Sequence, residues 1–392
     1  MPIIFFTTVL TLSALYAPQP LLPVIMQEFG VSRSAAAFLT TVSFLPLSIA
    51  PLFYGYVLES VSPRRMLRWT VLLLAVSEVF FFLAPNFASL VVVRLFQGLL
   101  VPAILTALMT YVSLASAKMH VQRAMATYIA ATILGGFLGR AFSGWVAGVF
   151  GWRYSFLVLA ASLLLAYFLL SRLKGETRLN LTRPHPRMIL SVLRQRGFLP
   201  LYLAVFGFFL VFAAIMNFIP FRLTEISEQA TEFRIGMMYS GYLMGIVASL
   251  GAAWVARKVG SEMRALRLGM AVFTGALAMM LIPSVSVLFV VMFVFCGGMF
   301  LVHSTASGLF NRCAREGQGL VNGLYVSFYY AGGAIGSYGP GPIYRDWGWN
   351  GVIFALVAVS LMVLVALMGR GPLAAAMDSG EPRSGHDAQA RS

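Results

Sequence analysis

The sequence is a succession of apolar stretches, each close to the length that a helix needs to cross a lipid bilayer. A helix rises about 1.5 Å per residue, so roughly 20 apolar residues span the hydrocarbon core. Hydrophobic residues make up 59% of the chain and charged residues only 10%, whereas about a quarter of the residues of a soluble domain are charged. The pattern predicts an all-α, multi-pass membrane protein.

Twelve apolar stretches are present, in two sets of six. The predicted spans are 2–24, 35–58, 66–84, 88–112, 123–149 and 154–170, then 199–221, 236–256, 266–282, 285–309, 319–343 and 348–368. The segment between the sets carries seven Lys or Arg residues and two prolines over 172–196. We therefore predict an N-terminal six-helix bundle (1–171), a basic linker (172–198), a C-terminal six-helix bundle (199–369) and a disordered polar tail (370–392).

The distribution of basic residues predicts how the chain sits in the membrane. Although the net charge is +15, the basic residues lie in short gaps between apolar runs, so no nucleic-acid partner is expected. With twelve spans, the linker and both termini share one side of the membrane. The loops of that side and the linker hold eighteen Lys and Arg residues, against five in the opposite loops. Cytoplasmic loops carry such an excess, so the linker and both termini are expected in the cytoplasm.

The two sets of spans resemble each other when the sequence is shifted by 197 residues. Seven residues of the fifth span and the loop after it then meet identical residues in the second half. They are Tyr128, Gly135, Gly136, Gly139, Gly144, Gly151 and Trp152, matched with Tyr325, Gly332, Gly333, Gly336, Gly341, Gly348 and Trp349. The glycines within the spans are predicted to let helices pack closely. Parallel six-span repeats indicate a substrate site between the halves, opened alternately to either side.

Three motifs resemble those of the major facilitator superfamily of transporters. The loop after the second span resembles its G-xxx-D-xx-G-x-R-R motif, with Gly55, Arg64 and Arg65 in place but Glu59 for the acid and Ser62 for a glycine. The fourth span resembles R-xx-QG over 94–98, and the fifth resembles the glycine-rich antiporter motif over 135–144. The resemblance implies the twelve-helix major facilitator fold. It also implies a cytoplasmic latch of Gly55, Glu59, Arg64 and Arg65, the alternative being an ordinary basic loop.

Further runs are similar to those of bacterial inner-membrane exporters of drugs or metabolites in this superfamily. They are YxxQPxLP over 16–23, GGxxGRxxSG over 135–144, His303-Ser304, Tyr329-Tyr330 and Gly-Trp-Asn-Gly over 348–351. The likeness implies a place in a bacterial inner membrane. We expect the chain to lack the soluble N-terminal extension of those proteins, and its first apolar run to be a retained helix.

Few ionisable side chains fall inside the predicted spans. Those that lie well inside a span are Glu78, Arg94, Arg140 and His303. Such groups are costly in lipid and usually face a cavity or a partner. We predict that Arg94, Arg140 and the neighbouring Gln97 line the substrate cavity. Because arginine stays protonated, Glu78 and His303 are the candidates for proton coupling. For Glu78 the alternatives are a fixed ion pair with Arg94 or a lipid-facing Glu that stays neutral. For His303 the alternative is a packed, hydrogen-bonded histidine.

The favoured function is secondary active efflux of a small organic compound in exchange for protons. Two arginines in a cavity equally suit a symporter or exchanger of an organic anion. A transport-inactive membrane sensor is the alternative from another class. No enzyme is expected, since the sequence has no nucleophile–base constellation, and Cys296 and Cys313 form no metal or disulfide pattern. The expected partners are the lipid bilayer, the substrate and protons, with a monomeric chain and no cofactor or metal.

Overall fold

The computed structural model describes residues 2–51, 53–54, 61–115, 121–173, 186–194, 198–313 and 318–368. Every regular element in these ranges is a helix, which confirms the all-α class. Gly55 and Glu59 of the predicted latch lie outside the described residues, as do most of the predicted linker and the tail.

The described residues of the N-terminal half form seven helices. They are α1 (Pro2–Tyr16), α2 (Leu22–Phe29), α3 (Arg33–Ile49), α4 (Pro63–Leu83), α5 (Phe87–Ala115), α6 (Val121–Phe150) and α7 (Trp152–Leu170). A single 3-10 turn, Gln19–Leu21, joins α1 to α2. The two helices therefore form one interrupted apolar segment, Pro2–Phe29.

A short helix, α8 (Pro186–Arg194), lies within the predicted linker. The C-terminal half follows with α9 (Phe198–Ile226), α10 (Glu232–Met238), α11 (Met244–Val259), α12 (Glu262–Met279), α13 (Val285–Cys313), α14 (Gln318–Tyr338) and α15 (Pro340–Met368). A second 3-10 turn, Tyr239–Leu243, joins α10 to α11. In the described ranges, each half thus contains an apolar segment that is interrupted by a 3-10 turn.

Nine helical segments in the described ranges are long and apolar enough to cross a bilayer. The other three predicted spans correspond to α3, a shorter apolar helix, and to α12 and α14. The count of twelve spans therefore stays a prediction. One boundary differs clearly from prediction, because α14 ends at Tyr338 and α15 already begins at Pro340. Proline is favoured in the first turn of a helix, and a kink at Gly348 (φ 65°) marks the predicted start.

Several connections between helices are short. Side-chain caps begin the following helices, and glycines in the left-handed backbone conformation end the preceding ones. Ser32, Thr231 and Ser261 accept hydrogen bonds from backbone N–H groups in the first turns of α3, α10 and α12. Gly30 (φ 61°) and Gly260 (φ 88°) end α2 and α11 in the left-handed region, which favours glycine. These tight turns reverse the chain, so successive spans run in opposite directions. We call the end that carries the linker the linker end, and the opposite end the distal end.

Helices pack mainly within their own half. In the N-terminal half α4 packs against α5 and α7, and α1 against α6; in the C-terminal half α9 packs against α14, and α12 against α13. Between the halves, α3 packs against α14 and α6 against α10. These last two pairs form the interface between the halves. The division at residues 172–198 stays a prediction, since little of that segment is described.

Candidate substrate site

Arg140 is buried at the interface between the halves, near the middle of α6. Its side chain is only 1% exposed. Three tyrosine rings surround the guanidinium, with ring centroids 4.1 Å (Tyr16), 4.9 Å (Tyr239) and 4.8 Å (Tyr242) from its central carbon. Tyr16 belongs to the N-terminal half, and the other two belong to the C-terminal half. All three distances suit cation–π attraction, so both halves contribute to one site.

Neutral groups complete the surroundings of Arg140. Its Nε donates to Gln19 Oε1 at 2.6 Å, and its Nη1 donates to the Gly136 carbonyl at 2.6 Å. Among the described residues, no carboxylate forms an ion pair with this guanidinium. The positive charge is therefore solvated by rings, an amide and a carbonyl. A guanidinium without an acidic partner can accept a carboxylate or phosphate from a ligand.

The two interrupted spans supply side chains that contact Arg140. Gln19 begins the 3-10 turn that interrupts the first span, and Tyr239 and Tyr242 lie in the turn that interrupts the eighth. The Tyr242 ring approaches α6 at Gly136, where an added Cβ would lie 2.9 Å from a ring carbon. Only glycine gives the ring this room. Interrupted membrane helices are typical of substrate sites in transporters.

An aromatic row leads from the Arg140 site to His303. It consists of Tyr16, Phe44, Tyr330, Tyr329 and His303. Successive ring centroids are 6.2, 5.5, 5.2 and 5.0 Å apart. The row crosses from the N-terminal half to the C-terminal half between Phe44 and Tyr330. It places His303 and Arg140 along one interface.

His303 is half-buried on α13 and has a hydrogen-bond partner. Its Nδ1 lies 2.7 Å from the hydroxyl of Tyr325 on α14. The geometry matches the packed, hydrogen-bonded histidine of the alternative interpretation. Its part in proton coupling stays a prediction.

Arg94 makes its contacts within the N-terminal half. Its guanidinium donates to the backbone carbonyls of Leu15 (2.7 Å), Ala14 (3.2 Å) and Leu39 (3.4 Å), and to Gln97 Oε1 (2.9 Å). These bonds tie α5 to α1 and α3. No hydrogen bond or ion pair joins Arg94 to Arg140 in the described part of the chain, so the two predicted cavity arginines have separate surroundings. That Arg94 and Gln97 line the cavity stays a prediction.

Glu78 is fully buried on α4, and the side chains of Arg94 and Gln97 act on it. Both of its carboxylate oxygens and Gln97 Nε2 are unsatisfied within the described ranges. Arg94 is the charged group that acts on it electrostatically, but no Glu78–Arg94 ion pair within 4.0 Å is formed. An unpaired buried carboxylate is costly. Binding a proton removes that cost. A role of Glu78 in proton coupling stays a prediction.

Of the predicted latch, only Arg64 and Arg65 are described. Arg64 Nη2 donates to the Ser171 carbonyl at 2.7 Å, which joins the start of α4 to the end of α7. This contact lies within the N-terminal half. A latch to the other half, with Gly55 and Glu59, stays a prediction.

The predicted packing glycines all lie at close contacts. An added Cβ would collide with backbone atoms of α1 at Gly135 and Gly139, of α9 at Gly332 and Gly336, and with atoms of the opposite half at Gly144 and Gly341. Gly136 and Gly333 make room for aromatic rings instead.

Sequence reasoning missed the tyrosines around Arg140. Tyr16 and Gln19 lie in the run 16–23 that was used for the family resemblance, so a signal for them existed. Tyr239 and Tyr242 carry no charge and follow no motif. Only the packing of α10 against α6 identifies them.

Comparison with known proteins agrees with this architecture. The family model of the Major Facilitator Superfamily matches residues 4–337. The chain is 27% identical over 372 residues to the inner membrane transport protein YnfM of Escherichia coli K12, covering 93% of this chain and 88% of that protein. It is 26% identical over 383 residues to an MFS-type transporter, YybF, of Bacillus subtilis, covering 95% and 93%.

Solved structures with the same fold are also transporters. A bacterial homologue of the human lysosomal transporter Spinster, inward-facing and occupied, has a TM-score of 0.74 at 12% identity and covers 97% of this chain and 98% of its own. A variant of the nucleoside transporter NupG has a TM-score of 0.77 at 11% identity, covering 93% and 99%. The resemblance inferred from the sequence motifs is confirmed. The chain belongs to the Major Facilitator Superfamily, whose proteins are membrane transporters and not enzymes.

Proposed function

We propose that the chain is a secondary active transporter of a bacterial inner membrane, which exports a small organic compound in exchange for protons by alternating access. The observation that carries the proposal is the Arg140 site. It is buried, is built by both halves, and lies beneath a closed distal end. A site of this kind can be exposed to one side of a membrane at a time.

The distal end is closed by polar contacts between the halves. Arg33 on α3 forms an ion pair with Glu225 on α9 at 2.9 Å and stacks 4.9 Å from the ring centroid of Tyr344. The Tyr344 hydroxyl donates to the same Glu225 carboxylate at 2.8 Å. We define these three residues as the distal gate. Because they come from α3, α9 and α15, opening the distal side requires their separation.

A second layer of contacts lies beneath the distal gate. The fully buried Asn217 accepts from the Thr40 hydroxyl at 2.6 Å and donates to the carbonyls of Ala37 (3.1 Å) and Ser337 (2.9 Å). These bonds join α9 to α3 and α14. Closure of the distal end by two layers supports alternating access, in which one end is closed while the other opens.

Proton exchange is assigned to Glu78 and His303. Glu78 is a buried carboxylate without a hydrogen-bond partner in the described ranges, and His303 shares its proton network with Tyr325. Both residue types can change protonation at physiological pH when their surroundings favour it. The likeness of 135–144 to the antiporter motif supports the export direction.

The test is transport in proteoliposomes driven by a pH gradient, with a library of organic compounds. The double variant Glu78→Gln/His303→Gln is expected to lose uphill transport, because glutamine cannot carry an exchangeable proton, and to keep substrate counterflow. Glu228→Gln/His185→Gln makes the same chemical changes outside the predicted spans and should transport normally. Uphill transport by the first double variant would overturn the assignment of the proton to these groups.

Transport of an organic anion is the second candidate. It is favoured by one observation, the absence of an acidic partner for Arg140 among the described residues. In this version the anion of the substrate pairs with the guanidinium, and the tyrosine rings pack against its apolar part.

A further inference from the structure

A basic cavity lies at the linker end of α4 and α7, away from the interface between the halves. Its volume is about 190 Å³. It is lined by Arg64, Arg65, Arg68, Trp69 and Tyr167. Three arginines thus line one small space. Arg64 and Arg65 also belong to the predicted latch, whereas the proposed transport function does not use Arg68.

The described part of the chain provides no acidic partner for these arginines. Arg64 is bound to the Ser171 carbonyl. Arg68 stacks 5.2 Å from the centroid of the Tyr167 ring, and its Nη2 donates to the Tyr167 hydroxyl at 3.5 Å. Its Nε is buried and finds no acceptor. The cavity therefore has positive charge and unused donors, which together suit a phosphate group.

The cavity opens beside a surface that faces lipid. Trp69 is 60% exposed and begins a row of exposed apolar side chains along α4. The row continues with Leu73, Val76, Phe80 and Leu83. Their spacing of three and four residues places them on one face of the helix. An exposed apolar face on a membrane-spanning helix contacts acyl chains, and Trp is favoured at the headgroup level.

We propose that this cavity binds the headgroup phosphate of an anionic phospholipid, whose acyl chain lies along the Trp69–Leu83 face. Basic pockets between membrane helices bind anionic headgroups by charge and hydrogen bonding. Free inorganic phosphate has the same charge chemistry, but it makes no use of the adjoining apolar face. A zwitterionic lipid carries its own ammonium group, which competes with the arginines for its phosphate. The cavity thus favours an anionic lipid over free inorganic phosphate and over a zwitterionic lipid.

The experiment measures lipid binding to the purified full-length protein by native mass spectrometry. Phosphatidylglycerol, phosphatidylethanolamine and inorganic phosphate are titrated separately, and phosphate is also used as a competitor. We expect phosphatidylglycerol to bind at least tenfold more tightly than phosphatidylethanolamine, and millimolar phosphate not to displace it. The variant Arg64→Gln/Arg65→Gln/Arg68→Gln should weaken phosphatidylglycerol binding by tenfold or more, since each basic residue near an anionic lipid contributes.

The matched control is Arg257→Gln/Lys258→Gln/Arg264→Gln, which removes three charges from the corresponding loop of the C-terminal half. Its affinity for phosphatidylglycerol should change less than twofold. A second variant, Trp69→Ala, keeps every charge. It should weaken the binding of phosphatidylglycerol and leave the affinity for inorganic phosphate unchanged. If both triple variants lost equal affinity for phosphatidylglycerol, the effect would be one of overall charge, and the proposed lipid site would be overturned. Displacement of the lipid by phosphate would overturn the lipid assignment in favour of a free anion.

Discussion

Arg140 shows how a permanent charge can be kept within the membrane without an acid beside it. Three ring faces, one amide oxygen and one carbonyl satisfy it. Each contact is weak compared with a carboxylate in the same position. The surroundings therefore stabilise the charge without using up its capacity for an anion. This is the property expected of a binding residue rather than of a purely structural one.

Substitution of Arg140 tests its role directly. Arg140→Lys keeps the charge but cannot reproduce the fork that reaches Gln19 and Gly136, so we expect transport to fall about tenfold. Arg140→Gln removes the charge, and a charge-assisted hydrogen bond contributes about 1.5–3 kcal/mol. We therefore expect affinity for an anionic substrate to fall by about tenfold to a hundredfold. The measurement is counterflow in proteoliposomes with matched anionic and neutral compounds.

Arg345→Lys and Arg345→Gln are the controls for Arg140. Arg345 is exposed and pairs with the adjacent Asp346, so both controls should keep full activity. Unchanged affinity for anions in Arg140→Gln would eliminate the organic-anion candidate and leave Arg140 a structural role.

At this scale the sequence predicted which ionisable side chains lie within the helices but not their environment. Glu78, Arg94, Arg140 and His303 could be found because a charge within an apolar run is conspicuous. The different surroundings of Arg94 and Arg140 could not be predicted, since they depend on which backbone carbonyls face each guanidinium. Leu15 and Ala14 accept from Arg94 only because α1 passes beside α5.

At the scale of helices, glycine contacts relate the two halves. Gly139 on α6 packs on the backbone of α1 at Ser13, and Gly336 on α14 packs on the backbone of α9 at Leu210. Gly135 and Gly332 make the same kind of contact at Val9 and Phe206. In each case the glycine and its partner are both displaced by 197 positions. The contacts therefore follow the shift that was found in the sequence.

Gly139→Ala should destabilise the protein, because the new Cβ would lie 2.5 Å from the Ser13 Cα. Overpacking of this kind typically costs about 1–3 kcal/mol, so the thermal midpoint of the purified protein should fall by several degrees. Gly148→Ala is the control on the same helix, since a Cβ there meets nothing within 4 Å. It should leave the midpoint unchanged or raise it, given the better helix propensity of alanine. Equal midpoints for the two variants would contradict tight packing of α6 on α1.

Helix positions were predictable from the apolar runs, whereas the breaks within helices were predictable only in part. Pro18 and Pro20 flank Gln19, and proline disfavours a continuous helix, so the first 3-10 turn has a local cause. The turn Tyr239–Leu243 contains no proline. It depends on tertiary packing against α6 and α13, which no local pattern encodes.

For the whole molecule, the distal gate should control which conformation is populated. We expect Arg33→Ala/Glu225→Gln to favour the form that is open at the distal end, because it removes the ion pair between α3 and α9. The reporter is Ser337→Cys in a background without the two native cysteines. Ser337 is fully buried beneath the gate, and a membrane-impermeant maleimide added on the distal side should label it several-fold faster when the gate is removed.

Arg345→Ala/Asp346→Ala is the matched control for the gate. It removes an ion pair at the same end that lies entirely within one helix, so labelling of the reporter should not change. If the gate variant is labelled no faster than this control, the ion pair does not hold the halves together.

The overall architecture followed from the sequence because bilayer thickness imposes a length on every span. The family followed from motifs whose residues are close in the chain. The closed distal end could not be predicted, since Arg33, Glu225 and Tyr344 are far apart in sequence and meet only once the halves are docked.

Under the proposed function, the tyrosine rings around Arg140 link ligand binding to the conformation of the protein. Any movement that separates α6 from α10 takes Tyr239 and Tyr242 away from the guanidinium, and the energy of those two contacts opposes it. Binding of an anion to Arg140 offsets the free energy lost with those two contacts, so the separated arrangement becomes less unfavourable. A ligand shifts a conformational equilibrium by the difference in its affinity for the two states. Without a ligand, the two tyrosine contacts thus stabilise the arrangement in which α6 and α10 are packed together. Only a compound that replaces both aromatic contacts at Arg140 removes this stabilisation.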